Sequence, residues 1–174
     1  DEVKRIDVWI QPHALQHGGA VLVPTDTLSA QFSLAFSLGL RLVRGRNDLR
    51  DYMDPSLWRD PAILRVGQIL HLHGDPRYGK KDAKKDPGQS VNWKTVQGAR
   101  IRVELNDGRA FEHEELHRKG SPAYPMTEAE QHDKFRGLAS AVLDERGVER
   151  VIEAVGEIEK LDDVGELMPM MRAG

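Results

Sequence analysis

The chain has 174 residues, enough to bury a core but short for two independent domains. Hydrophobic residues make up 39% and charged residues 30%, a soluble globular balance, and a net charge of −3 sets up no whole-molecule field for a polyanion. There is no cysteine, which excludes disulfides, thiolate metal sites, iron–sulfur clusters and a cysteine nucleophile, and no run approaches the ~18 apolar residues of a membrane span.

In chain order, Val3 to Ile10 alternates, with Ile6, Val8 and Ile10 on one face, and predicts a half-buried strand ended by Gln11-Pro12. His13 to Gly19 reads as a turn region, and Val21-Leu22-Val23 is stopped by Pro24. Thr25 to Gly45 predicts one long helix with a broad apolar surface from Phe32 to Val43, buried against a sheet or another helix and stopped by Gly45. Short helical pieces follow at Asp48–Met53, Asp54–Trp58 and from Asp60-Pro61, before a strand at Ile69–His73. Gly74 to Ser90, with Lys80, Lys81, Lys84 and Lys85, reads as a solvated loop. Four lysines without aromatic neighbours make a weak nucleic-acid platform, so no nucleic-acid partner is expected.

An extended run from Val91 to Val96 leads into a strand at Arg100–Leu105, and Asn106-Asp107-Gly108 predicts a hairpin returning through Arg109–Leu116. Thr127 with Glu130 forms a capping box for a helix carrying Phe135, Leu138, Ala139, Val142 and Leu143. Val148, Val151, Ile152, Val155 and Ile158 predict a second helix, and Leu161-Asp162-Asp163-Val164 opens a third. The fold class expected is α+β: a two-layer unit of antiparallel sheet and helix over residues 1–118, followed by C-terminal helices over 119–174.

Two histidine patterns invite a metal reading. His113-Glu114-Glu115-Leu116-His117 satisfies H-E-x-x-H, which chelates zinc when a helix sets both imidazoles one turn apart. Here the hairpin implies a strand, along which four residues span roughly 13 Å, so an accidental match is the preferred reading and a zinc hydrolase an alternative. His71 and His73 share a strand face about 6–7 Å apart and read as exposed-face histidines. No Walker, dinucleotide or G-x-S-x-G fingerprint occurs.

Several segments resemble the C-terminal part of the MmgE/PrpD family, which includes 2-methylcitrate dehydratase, cis-aconitate decarboxylase and iminodisuccinate epimerase. These are the hairpin, Lys119-Gly120-Ser121-Pro122, Pro125-Met126-Thr127 and the helix with Lys134-Phe135-Arg136-x-Leu138-Ala139. Ala30–Leu38, Asp60-Pro61 and Leu161–Leu167 also match the family's pattern. The resemblance implies a lid-like α+β domain whose C-terminal helices pack on a large helical domain. It further implies a homodimer, and cofactor-free dehydration, decarboxylation or epimerisation next to a carboxylate of a di- or tricarboxylate. It places the Ala30–Leu38 helix near the substrate cleft, making Gln31, Ser33 and Phe36 candidate substrate contacts, with Lys119 a candidate carboxylate holder. Phe36 stands where many relatives carry tyrosine, so that hydroxyl is absent. The family's catalytic histidine and lysine segments match no residue here, so no catalytic residue and no metal is assigned. The chain opens at a strand edge without methionine, which fits a C-terminal fragment or separate subunit, expected in the cytoplasm and off the membrane. The alternative from another class is a non-catalytic dimerising or regulatory domain.

Overall fold

The alternating run Val3–Ile10 forms strand β1, with Ile6 and Val8 buried on one side and Arg5, Asp7 and Trp9 on the other. The computed structural model describes residues 2–79 and 98–172. The Val91–Val96 run and the lysine-rich stretch beyond Gly79 lie outside the described residues. After β1 comes a short helix, α1 (Pro12–Gln16), where a turn region is expected; Pro12 sits at its first turn. The expected single helix from Thr25 to Gly45 is two, α2 (Thr27–Phe32) and α3 (Leu34–Arg44). Asp26 caps α2 by accepting from the Ser29 amide at 2.7 Å, and Gly45, at φ 71°, ends α3 in the left-handed conformation.

Helix α4 (Leu49–Tyr52), a 3-10 turn (Leu57–Arg59), α5 (Pro61–Leu64) and α6 (Val66–Ile69) then lead into β2 (Leu70–Gly74). Asp60 opens α5 by accepting from the Ala62 amide at 2.8 Å. Strands β3 (Ala99–Leu105) and β4 (Ala110–Glu115) form the expected hairpin, with Gly108 supplying the turn's φ of 89°.

The strand order is β2-β1-β3-β4. β1 runs antiparallel to β3, and β3 to β4, but β1 and β2 are parallel, Ile6 facing Leu70 and Val8 facing Leu72. The sheet is therefore mixed, which corrects the antiparallel expectation while keeping the α+β class. Parallel neighbours need a crossover, and the helices between residues 11 and 69 supply it. They cover one sheet face, where Ile6, Val8 and Val66 meet Leu34, Leu38, Ile101 and Val103. The opposite flank of α3 packs Phe36 and Leu40 against Ala30, Leu57 and Ile63. Helix α3 is thus the central rod, buried on two sides.

The chain divides into two compact units, Asp1–Tyr124 and Pro125–Gly174. The second holds α7 (Glu128–Ala139), α8 (Glu145–Gly156), two 3-10 turns and α9 (Leu167–Met170). Thr127 and Glu130 close the expected capping box on α7, and Asp144 caps α8 through the Gly147 amide at 2.7 Å. Val148, Val151 and Leu167 are its buried apolar residues, and Arg136 clasps Glu149 with two hydrogen bonds of 2.7 and 3.0 Å.

Candidate functional site

The break between α2 and α3 is made by one buried side chain. Ser33 has extended backbone (φ −86°, ψ 111°), and its Oγ accepts from the Phe36 amide at 3.0 Å while donating to the Val21 carbonyl at 2.6 Å. It therefore caps the following helix, where bonding back to the preceding turn is expected of a mid-helix serine. The Leu34 amide donates to the Gly18 carbonyl at 3.2 Å. A Cβ on Gly18 would stand 2.6 Å from the Phe32 carbonyl oxygen, so the close approach requires glycine. Gln31 faces solvent. Phe36 is 1% exposed and meets the Tyr52 ring edge-on at 6.0 Å. Its aromatic surface serves this unit's own core. The Tyr52 hydroxyl donates to Ser37 Oγ at 3.0 Å and accepts from Asn47 Nδ2 at 3.1 Å. Gln31 is thus the open member of the trio, and Ser33 and Phe36 set the shape beneath it.

Lys119 stands in the turn that follows β4. Gly120, at φ 86°, turns the chain so that its amide donates to the Tyr124 carbonyl at 2.7 Å, and the Lys119 ammonium lies 4.3 Å from the centre of the Tyr124 ring. Its neighbour Arg118 lines a cleft of about 350 Å³ together with Ile10, Gln11, Ala14, Gly98 and Ala99. Arg118 is thus the cation on the wall of this cleft, while Lys119 sits over the Tyr124 ring.

The sheet face turned away from α3 holds a network that motif reading passes over. Asp7 is 6% exposed; Arg5 grips it with Nε and Nη2 at 2.7 and 2.8 Å, and His73 Nε2 meets its Oδ1 at 2.7 Å. The Arg5 fork, and after it the His73 bond, holds the Asp7 carboxyl far below the usual range. His73 stacks on Trp9 with ring centres 4.9 Å apart, and the Arg100 guanidinium lies 3.8 Å from the Trp9 ring centre. His73 is half-buried and engaged, which corrects its reading as an exposed-face histidine; His71 is exposed. Nearby, the Tyr78 hydroxyl donates to Glu114 Oε1. Burial, then that bond, pushes the phenol up to about 12. The sequence signal was Arg5, Asp7 and Trp9 alternating on one strand face. Their partners, 66 positions on for His73 and 91 for Arg100, carry no local mark.

His113 lies on β4 opposite Ile101, whereas Leu116 and His117 follow the end of the strand, so no helical turn joins the two histidines. Among the described residues, no group of three or more His, Cys, Asp or Glu side chains gathers as a metal site. No helix among them is long and apolar enough to cross a membrane.

Residues 1–160 match the family model of the MmgE/PrpD C-terminal domain. The chain belongs to the MmgE/PrpD family. It is 39% identical over 171 residues to the cis-aconitate decarboxylase-like protein oryM of Aspergillus oryzae (strain ATCC 42149 / RIB 40). That match takes in 97% of this chain and 33% of the relative, so the chain spans about a third of the length of the curated relative it matches. Within the MmgE/PrpD match lie the Ser33 break, the Asp7 network and the Lys119 turn, whereas α9 falls beyond it.

Proposed function

We propose that this chain forms the C-terminal, lid-side domain of a lyase or isomerase acting on a small di- or tricarboxylate by dehydration, decarboxylation or epimerisation. The observation that carries the reading is the MmgE/PrpD C-terminal match over residues 1–160. The name of the Aspergillus relative supports carboxylate chemistry of this kind. Removing a proton beside a carboxylate requires a base, an acid and cations that hold the carboxylates as charge develops. Arg118 and Lys119 are this domain's candidates for the cations, and Gln31, presented by the Ser33 break, for a neutral hydrogen-bonding contact. Base and acid come from a helical half, of the same or a separate chain, which is also the partner for the C-terminal helices, and the assembled enzyme is a homodimer.

The test is a swap. The matched stretch of this chain replaces the corresponding third of the Aspergillus relative, and turnover of cis-aconitate and 2-methylcitrate is measured beside a truncated relative and the chain alone. Turnover is expected from the chimera and from neither part. Replacing Lys119 by Ala in the chimera should raise KM about tenfold or more, the value of one charge-assisted hydrogen bond. Full activity of the truncated relative, or turnover by this chain alone, would overturn the proposal.

A further inference from the structure

The short helix α1 does what the H-E-x-x-H strand does not. His13 within it and His17, the residue that ends it, bring their Nε2 atoms to 3.1 Å, with the rings at 64° and centres 4.3 Å apart. Two nitrogens held 2.0–2.1 Å from one ion stand about 3.3 Å apart in tetrahedral geometry and about 2.9 Å apart at a right angle. The observed separation lies between these values, so the spacing suits one shared ion once both ring lone pairs turn toward it. Both side chains are exposed, which leaves the other coordination positions open to water.

The segment carrying them is seated. The Gly19 amide donates to the Ala14 carbonyl at 3.1 Å. Leu15 lies against β2, where a Cβ on Gly74 would come within 3.2 Å of Leu15 Cδ1. A Cβ on Gly19 would stand 2.7 Å from Leu72 Cδ1. These glycines let α1 press on the strand, and the histidines project from a fixed backbone.

We propose that His13 and His17 form a two-histidine chelate for a divalent transition-metal ion, with water completing the shell. Two imidazoles and no carboxylate exclude the oxygen-seeking magnesium and calcium ions. They favour copper(II), and after it nickel(II) and zinc(II). The second imidazole binds within the same molecule, and such linked donors raise affinity by about 10²-fold or more. Gln11 and Ala14 of the same segment line the Arg118 cleft, but metal binding is read without turnover, so its test is independent of the carboxylate chemistry proposed above.

The experiment titrates the 174-residue chain with nickel(II) by calorimetry and records the electron paramagnetic resonance spectrum of added copper(II). One ion per chain is expected, with two nitrogen couplings in the copper spectrum. His13→Asn or His17→Asn should each lower nickel affinity about 10²-fold, whereas a His113→Asn/His117→Asn double variant should bind as the parent does. Paramagnetic broadening of the parent's imidazole resonances by nickel gives a reading that needs no variant, and it should centre on residues 13 and 17. Unchanged affinity in both single variants, broadening centred on other histidines, or no binding at all would overturn the proposal. The 3.1 Å contact would then be an imidazole hydrogen bond alone.

Discussion

Asp7 shows how much one residue can organise on the sheet face turned away from α3. An ionised carboxylate at 6% exposure persists because Arg5 and His73 supply three hydrogen bonds to it. The folded state holds this carboxyl below its unfolded pKa, so acidification delivers protons preferentially to the unfolded chain. Its contribution is present at neutral pH. It fades as pH falls below the ordinary aspartate value of about 3.9 toward the depressed folded one. Asp7→Asn is expected to cost about 1.5–3 kcal/mol at pH 7, the range for a hydrogen bond to a charged group. In urea melts the gap between the two proteins should narrow at pH 3. A gap that widens on acidification would show that another group sets the acid limb.

At the scale of elements, Ser33 decides where one helix stops and the next begins. Its hydroxyl is fully buried and serves both the Phe36 amide and the Val21 carbonyl. Ser33→Ala removes the cap and leaves that carbonyl without the bond, and is expected to cost about 2 kcal/mol. Ser33→Thr, which keeps the oxygen, should lose less if the extra methyl is accommodated. Thermal melts of the two variants check this, and equal losses would mean that volume, not the cap, governs the break. The sequence hid this break because apolar spacing continues through it: Phe32, Phe36 and Leu40 keep one helical stripe across residue 33. Strand β1 and the capping box at Thr127 were legible because alternation and caps are local signals. The parallel pairing of β1 with β2 was not, since alternation marks a strand but not its direction. Helix α1 carries too few turns for periodicity to register, so the His13–His17 pair stayed hidden while the longer motif at residues 113–117 drew attention. Lys119 was reached through the K-G-S-P turn, whereas Arg118 on the cleft wall had no motif of its own.

For the whole molecule, the relevant quantity is apolar surface without cover. On the first unit Leu28 is 66% exposed and Phe32 60%, one turn apart on α2, and Val23 and Met53 are exposed as well. On the second unit Leu138, Val142, Val155 and Ile158 are exposed. A chain that spans 33% of its relative leaves most of such a protein to supply the cover. Burying about 500 Å² of this surface would contribute on the order of 12 kcal/mol before the costs of association and ordering, which can cancel most of it. The expected outcome is therefore a tendency and not a tight complex. Sedimentation of the chain alone should show more than monomer at micromolar concentration, and a Leu28→Asp/Phe32→Asp double variant should shift it toward monomer. Both positions are exposed, so circular dichroism should be unchanged. In the swap with the Aspergillus relative the same double variant should lower the yield of folded enzyme if, as proposed, that face is the one a helical partner covers. If the variant remains as associated as the parent while the chimera assembles normally, α2 is not that face.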